Sequence, residues 1–278
     1  MTPTLLHQQF HRDGYLVLPG FKSAHEIAAV RQRALDIVEA FDPAQGSAIF
    51  TTNEQARAVN DYFLGSADTI RCFFEEEAFD TQGQLKQAKA LSINKIGHAL
   101  HDLDPEFDRF SHGPELAALA QEIGLLQPQV WQSMVIFKQP GIGGEVRWHQ
   151  DATFFDTTPI SVTTFWFALE DASVENGCLW VERGGHRGPL RERFVRSGDL
   201  VRMEALDDTP WPDDRSALPI EVAAGALVVF HGLLPHYSAP NRSAISRHAY
   251  TLHATSALTP YAPGNWLQRD HTLPVRGF

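Results

Sequence analysis

The chain reads as a mainly β protein with flanking α-helices, a jelly roll or β-sandwich preceded by a helical part. Two observations lead there. About residues 126–278 carry five short β-rich runs, at 130–137, 162–169, 178–181, 226–230 and 249–253, punctuated by Gly, Pro, Asn and Asp. Many short strands at such spacing are the mark of two packed sheets. About residues 1–125 instead show helical periodicity.

Taken in order, Tyr15-Leu16-Val17-Leu18 predicts a strand ended by Pro19-Gly20. Ser23 followed by Glu26 is a capping box, with the serine at the N-cap. Ile27, Val30, Ala34, Ile37, Val38 and Phe41 then form one apolar helical stripe. From Ser47 to Lys89 the pattern is weak; Phe73-Phe74 is a strand candidate, and Glu75-Glu76-Glu77 reads as a solvated acidic turn. Residues 114–123 predict a helix closed by Gly124. No repeat, low-complexity tract or linker interrupts residues 1–278, so one domain is expected, helical first and β afterwards.

Composition bounds the function. The 278 residues are near the upper limit for a single core, and no run of about 18 apolar residues suggests a membrane span. Met1 to Phe10 lacks the basic-then-apolar order of a signal peptide. Two cysteines, Cys72 and Cys178, are expected as free thiols, which fits a cytoplasmic protein. The net charge of −11 disfavours nucleic-acid binding, which needs broad positive surface.

The segment His149-Gln150-Asp151 is the most informative in the chain. On an extended backbone, residues i and i+2 point the same way, so His149 and Asp151 can aim at one point while Gln150 turns aside. Two imidazoles and a carboxylate hold iron(II) on one face and leave the other open. H-x-D alone is common by chance. Here it follows the glycine-rich stretch 141–144, and two later histidines, His231 and His236, offer a third ligand beside the apolar run 226–230. Arg247, eleven residues past His236, supplies a planar fork for a carboxylate such as that of a two-oxoacid cosubstrate. Its rival Arg242 lies in the turn Pro240-Asn241-Arg242-Ser243 and is expected to face solvent.

The chain resembles the phytanoyl-CoA dioxygenase family of iron(II)- and 2-oxoglutarate-dependent oxygenases. The resemblance is carried by Asn94-Lys95-Ile96-Gly97-His98-Ala99-Leu100-His101, by Gln132-Ser133-Met134-Val135-Ile136-Phe137-Lys138-Gln139-Pro140, and by Gly143-Gly144-Glu145 leading into His149-Gln150-Asp151. Glu175-Asn176-Gly177-Cys178-Leu179-Trp180, residues 236–253 and Asn265-Trp266-Leu267 continue it. The likeness spans most of the chain. It implies a double-stranded β-helix (cupin-like jelly roll) with flanking helices. It implies His149, Asp151 and His236 as ligands of Fe(II), and Arg247 as the partner of the distal 2-oxoglutarate carboxylate with Ser238 assisting. Lys95, Met134 and Trp166 match further positions lining the cosubstrate pocket. It also implies consumption of O2, oxidative decarboxylation of 2-oxoglutarate to succinate and CO2, and oxidation of a small-molecule substrate. Related halogenases carry a small residue where Asp151 stands, so Asp151 argues for hydroxylation or desaturation.

Other readings of the same residues are a non-catalytic 2-oxoglutarate- or metal-binding module, and a zinc-dependent jelly-roll hydrolase or isomerase, which would not need Arg247. His98, His101 and His112 read as satisfied or solvated histidines ahead of a second metal site. Arg183, Arg187, Arg191, Arg193 and Arg196 lie among only two acids, Glu182 and Glu192. They read either as a solvated loop with internal ion pairs or as a rim attracting an anionic substrate such as an acyl-CoA. Trp148 and the turn Glu182-Arg183-Gly184-Gly185-His186 depart from the family pattern, which blocks any transfer of substrate identity.

Overall fold

The computed structural model describes residues 4–45, 48–49, 61–198, 200–213 and 215–278. The first three residues of the segment read above for a leader, and part of the weakly patterned stretch from Ser47, lie outside the described residues. Helix α1 (Leu5–Asp13) had no counterpart in the sequence reading; Thr4 caps it and accepts from His7 N, and Gly14 at φ +84° ends it. The turn at Gly14 requires glycine twice over, because a Cβ there would also meet His186 Nδ1 at 2.4 Å. Strand β1 (Tyr15–Leu18) and helix α2 (Ala24–Ala40) follow as predicted, with both arms of the Ser23–Glu26 capping box formed. The α2 stripe buries Ile27, Val30, Ala34 and Val38.

Strands β2 (Ile70–Phe74), β3 (Ile93–His98), β4 (Pro128–Ile136), β6 (Thr163–Ala168), β11 (Leu227–His231) and β13 (Ala249–Ser256) join β1 in a seven-stranded sheet of order β1-β11-β6-β13-β4-β3-β2. Three of its strands come from the first 125 residues, so the N-terminal part extends the β-core. A four-stranded sheet, β10-β7-β12-β5, faces it; these strands are Leu218–Ile220, Leu179–Val181, His236–Ser238 and Val146–His149. A hairpin of β8 (Glu192–Ser197) and β9 (Leu200–Ala205) stands apart. The pairings between these strands are all antiparallel, as in a double-stranded β-helix.

The side-chain alternation of the central strands explains their apolar runs. Phe165 and Phe167 of β6, Leu227 and Val229 of β11, and Tyr250 and Leu252 of β13 pack with α2 and with helix Pro114–Glu122 in one core. Trp166, Ala168, Val228, Phe230 and Ala249 belong to a second core with Leu179, Val181 and Ile220 of the small sheet. A strand buried on both faces has no polar side to alternate with. Among the exceptions are the buried polar residues Thr164, Thr251 and His253 on the interior face. They mark where the site lies.

One reading is corrected. Glu75 is not part of a solvated turn: it is 1% exposed, and its Oε2 accepts from Asn94 Nδ2 at 2.9 Å and from Gly144 N at 3.3 Å. Periodicity could not show this, because both partners lie on segments remote in sequence.

Candidate active site

Small-sheet register brings the key residues together. His236 at the start of β12 pairs directly with His149 at the end of β5. Gln150 continues the extended backbone (φ −124°, ψ 132°) and Asp151 begins a 3-10 turn. Gln150 does turn aside. It is buried, donates to Pro189 O and Leu233 O at 2.9 Å each, and accepts from Arg191 N at 3.0 Å. Its amide therefore ties the 189–191 segment to Leu233 beside the motif.

The imidazole rings of His149 and His236 lie 4.1 Å apart, and their Nε2 atoms stand 3.6 and 3.8 Å from Asp151 Oδ1. One ligand atom from each residue lies within 4.8 Å of the others, among the described residues the one such group of histidine, cysteine and acidic side chains. Each Nδ1 faces a carbonyl, Arg147 O at 2.8 Å and Leu234 O at 2.9 Å. A carbonyl can only accept, so both protons sit on Nδ1 and both Nε2 lone pairs face Asp151. Burial alone would raise the Asp151 pKa. Positive charge on His236, His253 and His149 in their protonated forms outweighs it and holds the carboxyl well below the usual range. A converging, deprotonated N2O donor set with an open side is what a divalent first-row metal takes.

Two neighbours escaped the sequence reading. Thr164 Oγ1 donates to Asp151 Oδ2. His253 Nε2 lies 3.6 Å from the same oxygen, with its ring stacked on Phe155 at 5.1 Å. Both sit on central strands and point inward; only the sheet pairing reveals them.

Arg247 is fully enclosed at 2% exposure, and burial brings its pKa down to about 10. Its Nε donates to Gly177 O at 3.1 Å and its Nη2 to Ser238 Oγ at 3.3 Å; Ser238 Oγ itself donates to Gly177 O at 2.9 Å. Trp166 lies under the guanidinium at 5.4 Å. Nη1 is buried without a protein partner. Ser238 is two residues past His236 on β12, so the fork sits about 7 Å along the strand from that imidazole. The orphaned donor and the span suit a short dicarboxylate reaching from the metal to the guanidinium.

A cavity of about 610 Å³ opens beside His149 and Asp151. Lys95, Met134, His149 and Asp151 line it, with Phe63, Phe155, Trp148, Trp211 and Trp266 supplying apolar walls; Trp166, Ser238, His236 and Arg247 are not among its lining residues. Lys95 Nζ lies 3.9 Å from Met134 Sδ and over the rings of Phe63 and Phe73. Lys138 also lines it, its amine donating to Gly144 O at 2.7 Å and Ala239 O at 2.6 Å. Burial and then Arg247 push that amine down to about 7.

The rival residues have partners of their own. His231 Nδ1 accepts from Leu233 N at 3.0 Å, and its ring packs against Phe10 and His186. Arg242 is exposed and pairs with Glu77 at 2.6 Å. His101 bonds Ser133 Oγ, and His112 bonds Asp108 O. The arginine cluster is bonded largely within the protein, and Arg191 is buried instead of solvated. Arg183 pairs with Asp13, Arg191 donates to Thr209 O and Pro210 O, and Arg193 approaches Asp156 at 3.4 Å. None of the five lines the cavity. Cys72 and Cys178 are buried free thiols, and among the described residues no helix is long and apolar enough to cross a membrane.

A jelly roll carrying a His-x-Asp…His set at the mouth of its barrel defines a non-haem metal oxygenase class of site. The phytanoyl-CoA dioxygenase (PhyH) family model matches residues 10–249, and the chain belongs to that family of 2-oxoglutarate-dependent oxygenases. It is 48% identical over 261 residues to phytanoyl-CoA dioxygenase 1 of Oryza sativa subsp. japonica, covering 94% of this chain and 92% of the relative. It is 46% identical over 283 residues to phytanoyl-CoA dioxygenase domain-containing protein 1 of Bos taurus, covering 99% and 97%. The fold is also that of the carbocyclase SnoK from nogalamycin biosynthesis (TM-score 0.66, 19% identity, 100% of both chains). It matches the epimerase SnoN in complex with Fe3+, alpha ketoglutarate and nogalamycin RO as well (TM-score 0.63, 18% identity, 93% and 85%).

Proposed function

We propose that the protein is an iron(II)- and 2-oxoglutarate-dependent dioxygenase that hydroxylates a small organic substrate, forming succinate and CO2. The observation that carries this is the pairing of His149 and His236 across β5 and β12 beside Asp151, with Arg247 held further along β12. His149, Asp151 and His236 would hold the metal. Arg247, with Ser238 and Trp166 orienting it, would take the distal carboxylate of 2-oxoglutarate, while Lys95 and Met134 line its path. When bound, iron(II) supplies the dioxygen activation that couples cosubstrate decarboxylation to oxidation of a C–H bond. The protein's own part is placement: the Nδ1 bonds fix the imidazoles, Thr164 fixes the carboxylate, and aromatic walls flank the chamber. The SnoN complex contains Fe3+ and alpha ketoglutarate, which supports the same pair here. None of the five clustered arginines lines the cavity, so they lend little support to an acyl-CoA or other anionic substrate.

The test is succinate formation from 2-oxoglutarate by purified protein, with and without iron and dioxygen. Succinate that requires both supports the reading. Cosubstrate binding with no succinate formation under any substrate mixture would leave a binding module, and activity with zinc in the absence of oxygen would indicate a hydrolase or isomerase.

A further inference from the structure

Resting on the reading of the cavity as the substrate chamber, we propose that its wall at His98 is a hydrogen-bond-accepting subsite, which selects a substrate carrying an alcohol or N–H donor on an apolar frame. His98 lies at the end of β3, wholly enclosed, and lines the cavity. Its tautomer follows from proton counting. Ser66 has a single hydroxyl proton, which it donates to Phe63 O. The same Oγ lies 2.7 Å from His98 Nδ1, so there it can only accept, and the ring proton must sit on Nδ1. Nε2 is then a bare lone pair. It is buried and has no hydrogen-bond partner.

The ring cannot easily swing to find a partner. Phe63 and Trp266 meet it edge-on at 5.5 and 5.2 Å, and Phe73 lies at 5.6 Å. Phe63 and Trp266 stack on each other at 4.6 Å and also line the cavity, so the lone pair is set in an aromatic frame. Burial, and then the Lys95 ammonium, hold the His98 pKa well below its ordinary value, which keeps Nε2 unprotonated. A second acceptor without a partner, Glu75 Oε1, lines the same cavity.

The cosubstrate cannot satisfy either atom. At neutral pH, 2-oxoglutarate has two carboxylates and a ketone, all acceptors. A donor can come from the substrate, from water or from Lys95, and Lys95 makes no hydrogen bond to Nε2 in this structure. A substrate donor replaces water with a bond of its own, whereas an apolar group in its place leaves the lone pair unmet. A site built to bond a donor rejects the analogue lacking it far more strongly than an apolar wall rejects a missing methylene. A plain hydrocarbon chain would therefore be a poor substrate.

The experiment is nitrogen NMR of the full-length protein labelled with 15N-histidine, loaded with zinc in place of iron and with 2-oxoglutarate. Two matched probe pairs are added: indole against 1-methylindole, and cyclohexanol against methoxycyclohexane. The expected result is an unprotonated His98 Nε2 that shifts with indole or cyclohexanol and not with their methylated counterparts. In Ser66→Ala the second tautomer should become populated. In His98→Phe the donor probes should bind about tenfold more weakly while the methylated ones are unaffected. A proton found on Nε2, equal responses within both pairs, no response to either donor, or a probe-free resonance that moves in Lys95→Met would each overturn the proposal. The readout needs no turnover, so a failure of the oxygenase reading and a failure of this subsite are separate results.

Discussion

The ligand end of the chamber and the His98 wall use the same side chain in opposite ways. At His149 and His236 each Nδ1 is tied to the carbonyl two residues before it, so the proton position is set by local backbone and the lone pairs converge on one carboxylate. At His98 the proton position is set by a remote hydroxyl, and the lone pair converges on nothing the protein supplies. Convergent lone pairs call for a cation; a solitary one in an aromatic frame calls for a donor. Arg247 keeps a buried Nη1 unused, as Arg191 does; what separates Arg247 from the arginines of 183–196 is that Ser238 ties its fork to the strand that carries His236.

Breaking the convergence should have the largest effect. Asp151→Ala or His149→Ala should abolish iron retention and lower succinate formation by more than about 100-fold, since loss of a mere supporting partner costs 10–100-fold. Metal-to-protein ratio and circular dichroism on the same sample check that the fold survives. Arg247→Ala should raise the KM for 2-oxoglutarate by roughly thirtyfold or more, the usual cost of truncating a buried charge partner, with a smaller change in kcat. Arg247→Lys should recover only part of it, because the ammonium lacks the fork. Thr164→Val removes a bond to Asp151 Oδ2 and should weaken iron binding by about 10- to 100-fold, measured by chelator competition.

A pH test probes the far side of Arg247. The Lys138 pKa is about 7 when folded, below its ordinary value, so between pH 7 and 10 the unfolded chain holds a proton that the folded one has released. Stability should therefore rise with pH across that window in the wild type relative to Lys138→Met, and level off below it. Urea unfolding of both proteins at pH 6.5 and 9.5 reads the difference; parallel curves would show that the amine is not depressed. The smallest effect belongs to the cluster. Arg193→Gln should leave the salt dependence of turnover within about twofold of wild type.

Much of this was open to inspection in the chain itself. The i, i+2 spacing of His149 and Asp151 needs only local backbone to be read, and so does the Ser23–Glu26 capping box. The central strands were visible because burial on both faces leaves an unbroken apolar run. Helix α1 escaped because its nine residues are mostly polar, and only Phe10 and Asp13 are buried. The β8–β9 hairpin escaped because its strands are largely half-exposed and carry charge along their length. Glu75 looked like one of three surface acids, and nothing nearby in sequence hints at Asn94 or Gly144.

Composition and local pattern determined the β-rich class, the metal-binding dipeptide spacing and the kind of residue needed for a carboxylate. They could not decide between His231 and His236, place Thr164 and His253 around Asp151, or tie Arg247 and Ser238 to one carbonyl at Gly177. Those outcomes depend on strand register, which joins residues scores of positions apart. Register is settled when whole faces of two sheets are buried together, and a one-residue slip would turn every one of these side chains away from the chamber.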